Sequence, residues 1–192
     1  MRTAAFIGML MCVGLLSCFG TPGAQGMVQL KGNHPTGILG APTGEIAPDR
    51  MLKMTITLKL RDSEALNRLM SEQQDAASPN FQKWLTPQEF SERFGPDPAE
   101  FKAVHDWLVA NEFVIVAENI ARRSITFTGR ASQAERVFRT RIVTYAGGGS
   151  YANTTDPYIP AQFAGVIGAI SGLDNVMRAV PLSPHSTLRV TH

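Results

Sequence analysis

The stretch Met51-Leu52-Lys53-Met54-Thr55-Ile56-Thr57-Leu58-Lys59-Leu60 alternates apolar and polar side chains without a break. Successive side chains of a strand point to opposite faces, so Leu52, Met54, Ile56, Leu58 and Leu60 fall on one side. Lys53, Thr55, Thr57 and Lys59 fall on the other. The stretch therefore predicts a strand with one buried face. After it, Ser63 is placed to cap a helix whose Ala65, Leu66, Leu69 and Met70 form one apolar stripe, with Gln73 to Ala77 as a soft exit. Thr86-Pro87-Gln88-Glu89 has the composition of a capping box: a hydroxyl cap, proline at the first helical position and a carboxylate that reaches back. That short helix stops at Phe94-Gly95-Pro96. Asp97-Pro98-Ala99-Glu100 repeats the device and opens a longer helix that buries Phe101, Val104, Trp107 and Leu108, and Trp84 is expected in the core as well. Phe113 to Ala117 and Ser124 to Thr128 read as two strands. Ser132-Gln133-Ala134-Glu135 reads as a third capping box, for a helix turning Ala134, Val137 and Phe138 inward. Ile142 to Tyr145 reads as a fourth strand, followed by a glycine turn at Gly147-Gly148-Gly149. This order predicts an α+β domain: a ferredoxin-like β-α-β-β-α-β antiparallel sheet with helices on one face and an inserted helix pair. Ile159 to Leu173 is expected to form a short helix against that core.

Outside this region the sequence changes character. Arg2 precedes an almost unbroken apolar run of 14 residues, Phe6 to Phe19, and then Gly20, Thr21 and Pro22. That is the pattern of a secretory signal peptide over residues 1–26, with cleavage after Ala24-Gln25-Gly26. The run falls short of the roughly 20 apolar residues that span a bilayer, so no membrane span is expected. A rival reading takes Leu15-Leu16-Ser17-Cys18 as a lipidation motif that would anchor the protein through Cys18. Residues 27–50, with four glycines and three prolines, read as an extended N-terminal arm. The folded domain is expected over 51–175. Residues 176–192, with Pro181 and Pro184, read as a linker. The expected location is secreted or periplasmic, with lipid anchoring as the alternative.

The 192 residues are 44% hydrophobic, 18% charged and 8% aromatic, an ordinary globular composition sufficient for one domain. The only two cysteines, Cys12 and Cys18, lie in the leader, which leaves the folded part without a disulfide framework or thiol nucleophile. His34, His105, His185 and His192 have no partner at metal-ligand spacing, so neither a metal site nor a cofactor is expected. Gly168-Ala169-Ile170-Ser171-Gly172 lacks the spacing of a nucleophile elbow, and Gly147-Gly148-Gly149-Ser150 lacks the lysine of a phosphate loop. Asn153-Thr154-Thr155 is formally a glycosylation sequon. Charge is unevenly placed: residues 62–118 hold eleven carboxylates against Arg68, Lys83, Arg93 and Lys102. Residues 119–192 hold eight arginines against Glu135, Asp156 and Asp174. Ser124-Ile125-Thr126-Phe127-Thr128 lacks paired stacking aromatics, and no nucleic-acid partner is expected.

Three blocks of the sequence resemble one family. Ser78-Pro79, Trp84-Leu85-Thr86-Pro87, Phe90 and Phe94-Gly95-Pro96, with Trp107 and Phe113 at their spacing, resemble the activation domain of sedolisins, the pro-kumamolisin type. Gly129, Gln133, Glu135, Phe138, Thr140 and Ile142 are similar to its second block. Tyr151-Ala152-Asn153, Asp156-Pro157, Ile159-Pro160 and Gly172-Leu173 are similar to its closing block. The sequence departs from the family pattern at Phe81, usually tyrosine, at Glu112, often glycine, and at Arg130, commonly a small residue. The resemblance implies a subtilase-type prodomain, an intramolecular chaperone and pH-released inhibitor whose partner is a sedolisin-type catalytic domain, in trans or missing. That partner's Ser-Glu-Asp triad, oxyanion-stabilising Asp and calcium site match nothing here, so no catalytic, cofactor or metal residue is carried over. Glu89, Glu92, Asp97, Glu100 and Asp106 are the candidate acidic contacts: carboxylates depressed in a complex must be protonated to break it, over roughly pH 6 to 3. The alternative readings are an exported ferredoxin-like protein-binding module and the remnant of a truncated peptidase gene.

Overall fold

A computed structural model describes residues 26–37, 40–121, 123–146 and 149–176. The expected leader with Cys18, the glycines Gly147 and Gly148, and the linker beyond residue 176 lie outside the described residues. In sequence order, β1 is Met27–Gln29, β2 Pro42–Glu45 and β3 Met51–Leu58. Helices α1 (Ser63–Glu72), α2 (Pro87–Phe94) and α3 (Pro98–Ala110) follow, then β4 (Val114–Asn119), β5 (Ser124–Arg130) and α4 (Ala131–Phe138). Next come β6 (Ile142–Tyr145), β7 (Tyr151–Asn153) and β8 (Tyr158–Pro160), a 3-10 turn at Ala161–Phe163, and β9 (Ile167–Ser171).

The alternating stretch is the centre of the fold. β3 pairs antiparallel with β5 on one side, setting Met54 opposite Phe127 and Ile56 opposite Ile125, and with β9 on the other, setting Ile56 opposite Ile170. β4 adds to the far edge of β5, giving an antiparallel sheet of order β4-β5-β3-β9. Leu52, Met54, Ile56 and Leu58 are buried, as the alternation requires, while Met51 and Lys53 are exposed. Helices α3 and α4 bring Phe101, Val104 and Leu108, and Ala134, Val137 and Phe138, onto that face. Aromatic rings knit the layer: Phe113 lies 5.0 Å from Phe127 and 5.7 Å from Phe138, and Trp107 packs 6.0 Å from Phe138 and 5.6 Å from Phe163.

The sequence misplaces the fourth strand of this sheet. Ile142–Tyr145 is a strand, but it pairs with β2 and β7 in a separate three-stranded sheet. The edge beside β3 is taken by β9, within the segment expected to be helical. A bulge at Thr57/Leu58 explains the misreading. It turns both Ile167 and Ile170 inward, and an apolar spacing of three mimics a helix. Gly172 then lets the backbone leave β9 close above β3: its φ is +92°, and a Cβ there would lie 2.3 Å from the Lys53 carbonyl oxygen. Two caps differ from expectation too. Asp62, not Ser63, caps α1, its side chain accepting from the Ala65 amide. α4 starts at Ala131, one residue before the expected cap Ser132.

Residues 27–37 and 40–46 are woven into the body. β1 pairs with β8, β2 pairs with β6, and Leu30 and Ile46 are buried in the core. A polar node fastens the stretch in place. Asp156 Oδ1 accepts the Asn33 amide at 2.6 Å and lies 2.8 Å from His34 Nδ1. Asn33 in turn accepts the Ile170 amide of β9 on its side chain (2.7 Å) and the Asn153 side-chain amide on its carbonyl (2.8 Å). Burial alone would raise the Asp156 pKa. The hydrogen bonds from His34 and from the Asn33 and Gly32 amides outweigh it and hold the carboxyl below the usual aspartate range. A lowered folded-state pKa contributes stability above the unfolded value, near 4, that is lost as pH falls through the folded value.

This packing sets two expectations. Trp107→Ala, which opens the ring cluster, is expected to cost about 3 kcal/mol in denaturant unfolding. Asp156→Asn is expected to cost about 1.5–3 kcal/mol at pH 7 and to flatten the fall in melting temperature between pH 5 and pH 3. Parallel melting-versus-pH curves for this variant and the parent would contradict the second.

Candidate functional site

The first family-like block builds the end of the helical insertion. Gln73, buried at the C-terminus of α1, donates from its side chain to the Lys83 carbonyl (2.6 Å) and accepts the Gln82 amide on its own carbonyl (3.1 Å). Asn80 Nδ2 donates to Glu72 (2.7 Å), and the Ser78 hydroxyl accepts the Asn80 amide (3.1 Å). These bonds fold the Ser78–Leu85 stretch back against α1. They present Trp84 at 68% exposure, next to Met70 at 50% and Phe81 at 38%. Trp84 is thus a surface residue and not the core residue expected from the sequence. It borders a groove of about 250 Å³ floored by Leu66, Leu69, Leu85 and Phe90.

The rest of the block is structural. Thr86 and Glu89 form the capping box expected: the Thr86 hydroxyl accepts the Glu89 amide (3.2 Å) and the Glu89 carboxylate accepts the Thr86 amide (2.7 Å). The latter bond, with the Thr86 hydroxyl, holds the Glu89 carboxyl below the usual range. Phe94 is buried, 5.6 Å from Phe90. Gly95 is obligatory although its φ is ordinary, because a Cβ would fall 2.2 Å from the Ser91 carbonyl oxygen. Its own carbonyl, with that of Glu92, accepts from Arg61 (2.5 and 2.7 Å). Pro96 is buried behind it.

The second block is structural as well. At Gly129 a Cβ would lie 2.5 Å from the Phe113 ring and 2.7 Å from Gln133 Oε1. Gln133 accepts the Arg130 amide (3.2 Å) and donates to the Asn111 carbonyl (2.7 Å), tying α4 to the end of α3. Glu135 does not reach back to cap its helix; it accepts the Ile142 amide ahead of it (2.7 Å).

The five candidate carboxylates are spread over two helices. Glu89 and Glu92 lie on α2, with Glu92 accepting from the Gln88 side chain (2.9 Å). Asp97 caps α3 through the Ala99 amide (2.7 Å), and Asp106 pairs with Lys102 at 2.5 Å. Glu100 is exposed beside a hollow lined by Ala103, Phe163 and Val166. Glu89 and Glu92 share their helix with Phe90, which floors the Trp84 groove.

A second surface escapes motif searching. The side of the main sheet turned away from the helices carries Lys53, Thr55, Thr57, Thr126, Thr128 and Ser171, with Val114 63% exposed at its edge strand. Thr55 and Thr126 hydroxyls meet at 3.0 Å across it. The polar halves of the β3 and β5 alternations are its sequence signal. Chemically, the groove offers apolar contact and the face offers hydroxyl donors and acceptors. Among the described residues no group of three or more His, Cys, Asp or Glu is gathered as a metal ion would need. No helix among them is long and apolar enough to cross a membrane.

The family model "Pro-kumamolisin, activation domain" matches residues 41–176. Sedolisin from Pseudomonas sp. (strain 101) is 32% identical over 144 residues, covering 74% of this chain and 24% of that protein. Xanthomonalisin from Xanthomonas sp. (strain T-22) is 32% identical over 139 residues, covering 71% of this chain and 17% of that protein. Mouse tripeptidyl-peptidase 1 is 34% identical over 67 residues, 35% of this chain and 12% of that protein. The chain thus spans a quarter or less of the length of the curated relatives it matches. The matched range takes in the central strand, the helical insertion and the glycine-dependent close approaches alike, and the chain belongs to the pro-kumamolisin activation-domain family.

Proposed function

We propose that this chain acts as the propeptide of a secreted sedolisin-type serine-carboxyl peptidase, a folding template and acid-released inhibitor that breaks no bond itself. The observation that carries this reading is the extent of the match: the activation-domain family covers nearly all the described residues, whereas sedolisin shares only 24% of its own length with the chain. The partner is then a catalytic domain of that class. The leader at residues 1–26 supports delivery to the secretory route. The strand order β4-β5-β3-β9, with α1 to α3 before β4 and α4 after β5, supports a ferredoxin-like reading in which β9 supplies the fourth strand.

The uncovered surfaces give the binding its chemistry. A tryptophan at 68% exposure over an apolar groove is a poor choice for solubility and a good anchor for a partner side chain. The hydroxyl-rich sheet face offers a flat second contact. Carboxylates that a partner's cations hold below their usual range strengthen binding at neutral pH. That increment is lost as pH falls through the bound-state value, at about 1.4 kcal/mol per pKa unit.

Adding the purified protein to a sedolisin-type catalytic domain is expected to give strong inhibition at pH 7 that is lost at pH 4. Indifference at both values would reject the reading in favour of an exported module with another partner. Trp84→Ala is expected to weaken inhibition at pH 7 by about tenfold or more. It should leave unfolding free energy within about 1 kcal/mol of the parent, a surface substitution, in contrast to Trp107→Ala.

A further inference from the structure

We propose that the hollow at the first turn of α4 is a binding site for a peptide carboxylate, gripped by Arg130 and Arg136 with Glu112 at its rim. The hollow, about 490 Å³, is lined by Glu112, Arg130, Ser132, Gln133 and Arg136. Three charged side chains reach it from three places: the turn after α3, the end of β5 and the second turn of α4. None of the three enters an ion pair among the described residues. Their carriers are nevertheless fixed. Gln133 accepts the Arg130 amide and donates to the Asn111 carbonyl, so one glutamine clamps the backbone on both sides of the hollow.

Glu112 is the unusual member. Its φ of +66° lies in the left-handed region, where glycine sits freely and a residue with a Cβ is strained. A carboxylate at a strained turn, lining a hollow with arginines with which it forms no ion pair, suits a role outside the fold.

The charge selects the ligand class. Two guanidiniums and one carboxylate leave a single positive charge, reinforced by the positive end of α4. One carboxylate balances that charge, whereas a dianionic phosphate would set surplus negative charge against Glu112. The guanidinium fork matches a carboxylate through two parallel N–H···O bonds, and the Ser132 hydroxyl offers a further donor. Glu112 is then available to accept the amide N–H that adjoins a carboxylate in a peptide. Such a carboxylate comes from the C-terminus of a polypeptide or from an Asp or Glu side chain. The inference stands independently of the inhibitor reading.

The test uses the full-length protein, labelled with ¹⁵N and titrated at pH 7 and constant ionic strength. The probes are N-acetyl-Ala-Ala, N-acetyl-Glu-amide, the neutral amide of the first, and inorganic phosphate. Saturable shifts of the Arg130–Arg136 amides are expected with at least one carboxylate, at about millimolar Kd, and none with the neutral amide. The first probe responding identifies C-terminal recognition; the second identifies side-chain recognition. The double variant Arg130→Gln, Arg136→Gln should weaken binding about tenfold or more with its melting temperature unchanged. Glu112→Gly should raise the melting temperature, showing that the strained turn does not serve stability. Absence of saturable shifts, tighter binding of phosphate than of either carboxylate, or equal binding by the arginine double variant would overturn the proposal.

Discussion

The molecule depends on the double pairing of β3. A strand bonded on both edges has no freedom of register: a slip by one residue would turn Leu52, Met54, Ile56 and Leu58 to the open side and Lys53, Thr55 and Thr57 into the core. Burying an aliphatic side chain of this size is worth about 1.5–3 kcal/mol, so four of them outweigh any local preference elsewhere in the sequence. The three glycines that matter most serve this layer or its helices through close approach. Gly172 admits the backbone crossing β3, Gly129 admits the Phe113 ring, and Gly95 admits the last turn of α2.

What the sequence discloses follows the reach of each signal. The β3 alternation and the Thr86–Glu89 box are local, and the structure contains both, with the strand ending at Leu58 and Leu60 half-buried beyond it. The identity of the fourth strand is not local. Ile142–Tyr145 and Ile167–Ser171 are both strands, and the bulge at Gly168 of β9 and the tight exit at Gly172 fit the second of them to the edge of β3. Tryptophan burial is likewise decided at long range. Trp84 and Trp107 are each followed by a leucine in sequence, yet hydrogen bonds between Gln73 and residues 82 and 83 hold one outward, while Phe138 and Phe163 pack against the other. The hollow at α4 was legible only as two isolated oddities, Glu112 and Arg130, 18 positions apart.

Much of the acidic surplus serves architecture before it serves any partner. Asp62 and Asp97 cap helices, Glu89 completes a box, Asp75 accepts the Ala77 amide, and Asp156 seals the N-terminal stretch against β9. Carboxylates so placed position backbone and are not held in reserve for a partner. The charge excess of residues 62–118 is therefore a poor map of contacts. The exposure of Trp84, Met70 and Phe81 is the better guide, because large apolar side chains held together in water mark a contact surface.

Apolar contact and acid sensitivity divide the proposed inhibitory function between different atoms. Contacts made by Trp84 and the sheet face do not titrate, so they set a floor of affinity at every pH. A nanomolar complex corresponds to about 12 kcal/mol and a micromolar one to about 8. Three carboxylates, each depressed by about one pKa unit in the complex, span that gap. Release in acid thus requires neither unfolding of the domain nor loss of its whole interface. It requires that a few carboxylates meet cations across the contact while the apolar anchor stays in place. The fold has acid-labile contacts of its own, Asp156 bonded to Asn33 and His34 on the interior seam and Glu89 bonded to Thr86 on α2, and both carboxylates lose their stabilising hydrogen bonds as pH falls through their lowered values.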